Sequence, residues 1–262
     1  MRVHFFTLDV PSSRGYARFP FVVDGLPLSG ISCAISSRAL GDMRYLPDAE
    51  NPNRTRFFQE IGLEASRVRS RVQTHTRDVA VAGEDGGCPG DGLVTDDPSL
   101  ALAVTVADCL PVFLLDTERN AFALVHSGWK GTGIAAAALS LMAERWGTRA
   151  EAVAAILGPC IRSCCYGVDE GRAAVFQAEF GEAGGRGSAA FPLGPVVSRE
   201  GGRVFLDLQA ANARLLAAAG VRDLAVCEDC TFTDERLGSF RREGDRYTRM
   251  AAVVGRLREE NP

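Results

Sequence analysis

The chain has 262 residues, with 29 Lys plus Arg against 33 Asp plus Glu, a formal net charge of −4 and 46% hydrophobic residues. That length suits one large domain or two small ones with enough chain to bury a sizeable core, and the mild negative balance argues against nucleic acid as the main partner, because phosphate neutralisation needs a surplus of Lys and Arg. No apolar run approaches the roughly 20 residues needed to span a bilayer, and Met1 to Val10, with a single Arg and no long apolar core, does not read as a signal peptide; the expected compartment is the cytoplasm.

Phe19 to Val23 and Gly30 to Ile35 read as short strands. Asn53 to Leu63 reads as a helix, with Asn53 as its cap, Phe57, Phe58 and Ile61 on one face and Gly62 at its end. Val68 to Val72 is a strand leading into Gln73-Thr74-His75, and Gly83 to Pro98, rich in Gly, Asp and Pro, is a loop. Leu100 to Val106, Leu110 to Leu115 and Ala121 to Val125 are strands, and the polar turn over Asp116 to Asn120 makes the last two a hairpin. A helix follows the turn at Gly128 to Gly133 and runs to about Gly147, with Ile134, Ala138, Leu141 and Met142 on one face. Ala152 to Leu157 is a buried strand, Glu170 to Phe180 a helix, and Gly181 to Gly187 a mobile Gly-rich loop. Val204 to Leu206 is a strand, Asp207 caps a helix from Leu208 to Ala219 that Gly220 ends, and Leu224 to Cys227 and Met250 to Val254 are strands. This alternation, without a repeat or linker, predicts one α/β domain over residues 1–262 with a mixed sheet.

The chain carries 3 His and 8 Cys, too few Cys for a disulfide-stapled scaffold of this length. His4 lies in an apolar stretch and reads as structural. His75, Cys109 and His126 each stand at the end of an apolar strand, where α/β proteins gather functional groups. If the three converge, two imidazoles and a thiolate suit Zn²⁺ and leave its fourth position open. The same residues allow a Cys109–His126 dyad with the thiolate as nucleophile, or three unrelated buried groups. Cys33 and Cys88 read as packing or surface residues. Cys160, Cys164 and Cys165 cluster after Gly158-Pro159, and Cys227 with Cys230 forms a C-x2-C pair; packing is the default there, a separate structural zinc site the alternative.

The turn at Gly128 to Gly133 precedes a helix, so its free N–H groups, with Lys130 and Thr132, could cradle a phosphate; it is not a Walker motif. The pair Arg241-Arg242 could clamp a phosphate or carboxylate, and Arg38 and Arg44 in the early loop are similar candidates.

Gln73-Thr74-His75, Ala107-Asp108-Cys109-Leu110-Pro111-Val112 and His126-Ser127-Gly128-Trp129-Lys130-Gly131-Thr132 resemble the three motifs of the laccase-domain (YfiH-like) family, whose members are also named multicopper polyphenol oxidases or peptidoglycan editing factors. Gly158-Pro159-Cys160-Ile161 with Cys164-Cys165-Tyr166, and Cys230-Thr231 with Ser239-Phe240-Arg241-Arg242 and Thr248-Arg249-Met250, resemble its later motifs. The likeness runs from about Ile31 to the end. This chain has Thr76, Ser127, Lys130 and Gly167 where common members carry Gly, Ala, Arg and Glu, and it lacks a Gly between Thr248 and Arg249.

The resemblance implies a β-sandwich-like mixed sheet core flanked by helices, grouped with cysteine hydrolases of the CNF/YfiH-like kind. It implies zinc on His75, Cys109 and His126, and purine nucleoside chemistry: phosphorolysis of adenosine, inosine and methylthioadenosine to base plus ribose 1-phosphate, and deamination of adenosine. Asp108 would orient a ligand, with Cys109, His126 and Asp108 as the catalytic set. Arg241, Arg242, Lys130 and Arg44 would hold phosphate. Two alternatives stay open: a copper-dependent phenol oxidoreductase, and a cysteine hydrolase or amidase editing peptidoglycan precursors through Cys109. Three His cannot house four coppers, so only a single copper at the same site is compatible with the first. A metal-stabilised binding protein is the non-enzymatic reading. The expected partners are small molecules, nucleosides and phosphate, and the chain is expected to be a monomer or small homo-oligomer.

Overall fold

Two large sheets pack face to face in the computed structural model, which describes residues 1–181 and 192–258. In chain order the elements are β1 (Arg2–Phe6), β2 (Tyr16–Val23), β3 (Leu26–Ser36), α1 (Pro52–Glu60), β4 (Val68–Arg69), β5 (Val79–Val81), β6 (Gly92–Thr95), β7 (Ala101–Val106), β8 (Leu110–Asp116), β9 (Phe122–Ser127), α2 (Ile134–Trp146) and β10 (Val153–Leu157). They continue with β11 (Gly167–Val168), α3 (Glu170–Phe180), β12 (Val197–Glu200), β13 (Arg203–Leu206), α4 (Leu208–Ala219), β14 (Asp223–Cys227), α5 (Phe240–Glu243) and β15 (Met250–Gly255). One sheet is mixed and seven-stranded, in the order β1-β14-β10-β8-β9-β6-β5; the second is five-stranded, β2-β3-β15-β7-β4; a small third sheet is β11-β13-β12.

The layering follows from side-chain alternation along strands buried on both faces. On β8, Phe113 and Leu115 enter the core between the two large sheets, beside Phe19, Phe21 and Leu102, while Leu110, Val112 and Leu114 face the helices α2, α3 and α4. β15 splits likewise: Met250, Ala252 and Val254 point between the sheets, and Ala251 and Val253 pack under Phe57, Phe58 and Ile61 around α1. The result is the mixed α/β fold with a sandwich-like core that the sequence predicts. No helix among the described residues is long and apolar enough to cross a membrane.

The predicted helices match closely where caps are local. Asp207 accepts from the Ala210 N–H at 2.7 Å, and Gly220 ends α4 with φ +105°. Asp207→Ala is expected to cost about 1 kcal/mol of stability, read as a lowered denaturation midpoint. The cap of α1 is corrected: Asn51, not Asn53, accepts from the Asn53 N–H at 3.0 Å, because Pro52 lacks an N–H and its fixed φ suits the first helical position. The hairpin over Asp116 to Asn120 is present, with the Asp116 carboxylate accepting from the Glu118 and Arg119 N–H groups. The predicted loop over Gly83 to Pro98 contains the buried strand β6, and the strand predicted over Val68 to Val72 stops at Arg69. The Gly181 to Gly187 segment lies, beyond Gly181, outside the described residues.

Candidate metal centre and active pocket

Strand register brings the three predicted residues together. His126 is the penultimate residue of β9 and pairs with Pro111 of β8, so Cys109, just before β8, lies beside it. His75 sits on the segment between β4 and β5. That segment is pinned to β7 by the Gln73 side chain, which donates to the Thr105 carbonyl at 2.8 Å and accepts from the Thr105 N–H and hydroxyl, each at 2.7 Å. Gln73 thereby extends the β4–β7 pairing past the strand's end. The donor atoms of His75, Cys109 and His126 all lie within 4.8 Å of one another. The imidazoles meet edge to face, with ring centroids 4.9 Å apart.

Two residues here hold left-handed backbone, His75 at φ +61° and Asp108 at φ +86°. For residues other than glycine that costs about 1–2 kcal/mol and concentrates where surrounding structure enforces a geometry. Gly128 is required for space: a Cβ there would stand 2.9 Å from the Cys109 Sγ and 3.4 Å from the His75 Cδ2.

The residue that organises the centre is Asp91, within the Gly83 to Pro98 stretch whose composition predicts a loop. β6 pairs antiparallel with β9, Gly92 facing Val125, and this register sets Asp91 beside His126. The Asp91 Oδ1 accepts from the His126 Nδ1 at 2.8 Å and the His75 N–H at 3.0 Å. Its Oδ2 accepts from the Thr74 N–H at 3.1 Å, the Thr76 N–H at 2.7 Å and the Thr76 hydroxyl at 2.9 Å. Arg71 fixes the approach to Asp91 by donating to the carbonyls of Cys88, Pro89 and Gly92.

Electrostatics follow from this burial and pairing. Burial works against ionisation of Asp91, but the hydrogen bonds from His126 and Thr76 outweigh it and hold the carboxyl down to about 2. Burial would also raise the Cys109 thiol; the His126 charge and the hydrogen bonds from both imidazoles bring it down to about 6. His126, disfavoured as a cation by burial, is raised to about 9 by the Cys109 charge and by Asp91. Cys109 is therefore largely thiolate at neutral pH.

The centre forms one wall of a pocket of about 500 Å³. Three arginine–aromatic couples line the rest: the Arg172 guanidinium 4.5 Å from the Trp129 ring centroid, Arg241 5.3 Å from Tyr166, and Arg249 4.3 Å from Tyr247. Arg241 also donates to the Gly167 carbonyl at 2.8 Å, and Arg249 pairs with Asp42 at 3.1 Å. Tyr166 is kept protonated by burial and by the Cys109 charge, its hydroxyl pushed up to about 12.

Several predicted roles are corrected. Asp108 lines the pocket, but the orienting carboxylate is Asp91; Asp108 instead accepts from the Thr231 hydroxyl at 2.6 Å and the Arg241 N–H at 2.7 Å. Arg242 is no phosphate clamp: its guanidinium is spent on the carbonyls of Thr231, Phe232, Asp234 and Leu237 and on Glu243. Lys130 points over the Trp129 ring rather than into the pocket, and the Thr132 hydroxyl closes the turn onto the Gly128 carbonyl. Arg44 lies on the exposed segment before α1 and does not line the pocket; Arg38 bonds the Glu235 carbonyl. His4 pairs with Ala225 on the β1 edge, outside the cluster. Arg172 and Arg249 were not singled out as anion-binding candidates: only the tertiary fold turns them inward.

A relative from Deinococcus radiodurans named purine nucleoside phosphorylase is 38% identical over 216 residues, 82% of this chain and 79% of that one. A relative of the same name from Corynebacterium glutamicum is 34% identical, covering 79% of this chain and 82% of its own. The crystal structure of YlmD from Geobacillus stearothermophilus matches with a TM-score of 0.75 at 28% identity, over 95% of this chain and 98% of that one. That of a Bacillus licheniformis hypothetical protein, YfiH, matches with a TM-score of 0.73 at 25% identity, over 86% and 92%. The profile described as multi-copper polyphenol oxidoreductase laccase matches residues 40–257, and with these relatives it shows that the chain belongs to that laccase-domain family.

Proposed function

We propose that the chain is a zinc-dependent purine nucleoside phosphorylase acting on adenosine, inosine and methylthioadenosine that also deaminates adenosine. The observation that carries this reading is the pocket itself: a thiolate and two imidazoles on one wall, with aromatic planes and arginines on the others. Its volume is in the range of small-molecule sites, its aromatic faces suit a purine, and its guanidinium groups suit phosphate. The names of the relatives support the same activity.

The donor set fits a metal. Two imidazoles and one thiolate, His126 giving up its extra proton on binding, make the three-ligand set that zinc takes with a position left open, and Asp91 on the His126 Nδ1 supplies the usual orienting carboxylate. The same set could hold a single copper. When bound, such an ion supplies Lewis acidity toward a substrate oxygen.

The protein's own residues do the rest. Trp129, Tyr166, Phe240 and Tyr247 hold the base and exclude water from its faces. Arg172 and Arg241 bring phosphate to the ribose and offset its charge as a phosphate oxygen bonds to C1′ and the bond from C1′ to the purine nitrogen breaks. The electron pair leaves with the purine, which takes up a proton. Asp108 fixes the backbone of Arg241 and so acts as a positioning residue. In the deamination, water adds at C6 and ammonia leaves.

Purified protein given inosine or adenosine should release free base and ribose 1-phosphate only when phosphate is present, and adenosine alone should yield some inosine; chromatography reads both. Formation of neither base nor inosine rejects the reading. Arg172→Ala should raise the KM for phosphate by about tenfold, the cost of one charge-assisted hydrogen bond, with a smaller effect on the KM for nucleoside.

A further inference from the structure

A second cluster of thiols lies on the outer side of the same loops. The Sγ atoms of Cys164, Cys165 and Cys230 lie within 4.8 Å of one another, those of Cys164 and Cys165 at 3.4 Å. Cys164 and Cys230 edge an open cleft of about 580 Å³ between the turn at Arg162 to Tyr166 and the turn at Cys230 to Asp234. All three are free thiols.

Both turns are held firmly. The Cys165 and Tyr166 N–H groups bond the Arg162 carbonyl at 2.9 and 2.8 Å, and the Thr233 and Asp234 N–H groups bond the Cys230 carbonyl at 3.1 and 2.9 Å. A parallel bridge joins Cys160 to Cys230, the Thr231 N–H reaches the Cys160 carbonyl at 3.0 Å, and the Arg162 N–H donates to the Cys230 Sγ at 3.4 Å. The sulfurs are thus brought together by backbone that is fixed for its own reasons. Of the acids that line the cleft, Glu228, Asp229 and Asp234, two are engaged elsewhere: Asp234 with Arg236 at 2.7 Å, Asp229 with the Leu8 N–H at 2.6 Å.

We propose that Cys164, Cys165 and Cys230 form a second metal site, distinct from the His75/Cys109/His126 centre, that takes a thiophilic cation of the zinc(II) or copper(I) class. A disulfide would use two of the three sulfurs, whereas one ion uses all three. Sulfur ligands select soft or borderline cations, and with metal–sulfur bonds near 2.3 Å two sulfurs on one ion stand about 4 Å apart, close to the spacing present here. Each thiol gives up its proton on binding. The open cleft leaves a further position to water for zinc, and none is needed for three-coordinate copper(I). The ion would clamp two turns that build the pocket wall: Tyr166 follows Cys165, and Thr231, whose hydroxyl bonds Asp108, follows Cys230. Its role is structural support of that wall, and the site stands whether or not the nucleoside reading does.

The test is metal stoichiometry on metal-depleted protein under reductant, with zinc(II) and copper(I) offered in separate arms. Cys164→Ser and Cys165→Ser alter thiols at the surface or near it, so these variants fold; Cys109→Ala removes the first centre. The wild type should take two ions, Cys109→Ala one, and Cys109→Ala with Cys164→Ser none, with ion addition raising the Tm of Cys109→Ala but not of the double variant. Cobalt(II) should give a thiolate charge-transfer band in Cys109→Ala that the second substitution abolishes. No uptake of either ion by Cys109→Ala, or uptake unchanged by Cys164→Ser, overturns the proposal.

Discussion

Asp91→Asn is expected to lose the ion of the His75/Cys109/His126 centre and the proposed phosphorolysis as fully as Asp91→Ala, although its side chain matches the carboxylate in shape. The Asp91 Oδ2 accepts from three donors and Oδ1 from two more, and an amide has only one oxygen to offer. If that oxygen serves Thr74 and Thr76, the amide NH₂ faces the His126 Nδ1 and turns it into an acceptor. The imidazole proton then moves to the other ring nitrogen, the one that would hold an ion. Loss of an orienting carboxylate costs about 10–100-fold in metal affinity or activity, and atomic emission on the purified variant reads it. Asp91→Ala should also destabilise by about 3–5 kcal/mol, the cost of leaving a buried charged partner alone, a Tm drop on the order of 10 °C. A variant with unchanged Tm and metal content would remove Asp91 from the account. Because folding lowers the Asp91 carboxyl from its ordinary 3.8 to about 2, its contribution to stability is complete above pH 4 and is lost as the pH falls toward 2.

Cys109→Ala decides between the two chemistries that the site permits. If the thiolate is a ligand, the variant loses the ion of the His75/Cys109/His126 centre and turnover together, by more than about 100-fold in kcat/KM, beyond the cost of losing an orienting carboxylate, and His75→Ala and His126→Ala do the same. A Cys109→Ala protein that keeps both ions and binds nucleoside but turns over nothing would instead make the thiolate the nucleophile, with the His126 imidazolium at its side. The four-copper oxidase suggested by the family's name is not buildable from 3 His.

Much of this was legible from local sequence signals. Helix α4 is legible to its boundaries because Asp207 and Gly220 each act within a single turn. The site residues His75, Cys109 and His126 were legible as strand-end groups of the right ligand types, and the family motifs named them. Strand β6 was not, because four residues between Gly- and Asp-rich turns carry almost no periodicity of their own. Asp91 was lost with it.

Arg241 and Arg242 show what a sequence cannot separate. The two are adjacent and chemically identical, yet one lines the pocket and the other is consumed by backbone carbonyls of its own loop. Arg172 and Arg249, far apart in the chain, end on the same pocket. By itself the sequence determined the class of fold, the helices and the metal-type residues, since each depends on contacts within a few positions or on residue chemistry alone. The tertiary structure alone decided which carboxylate holds His126, which arginines line the pocket and that three further thiols meet. Those are consequences of strand register and loop packing between distant segments, which no local pattern encodes.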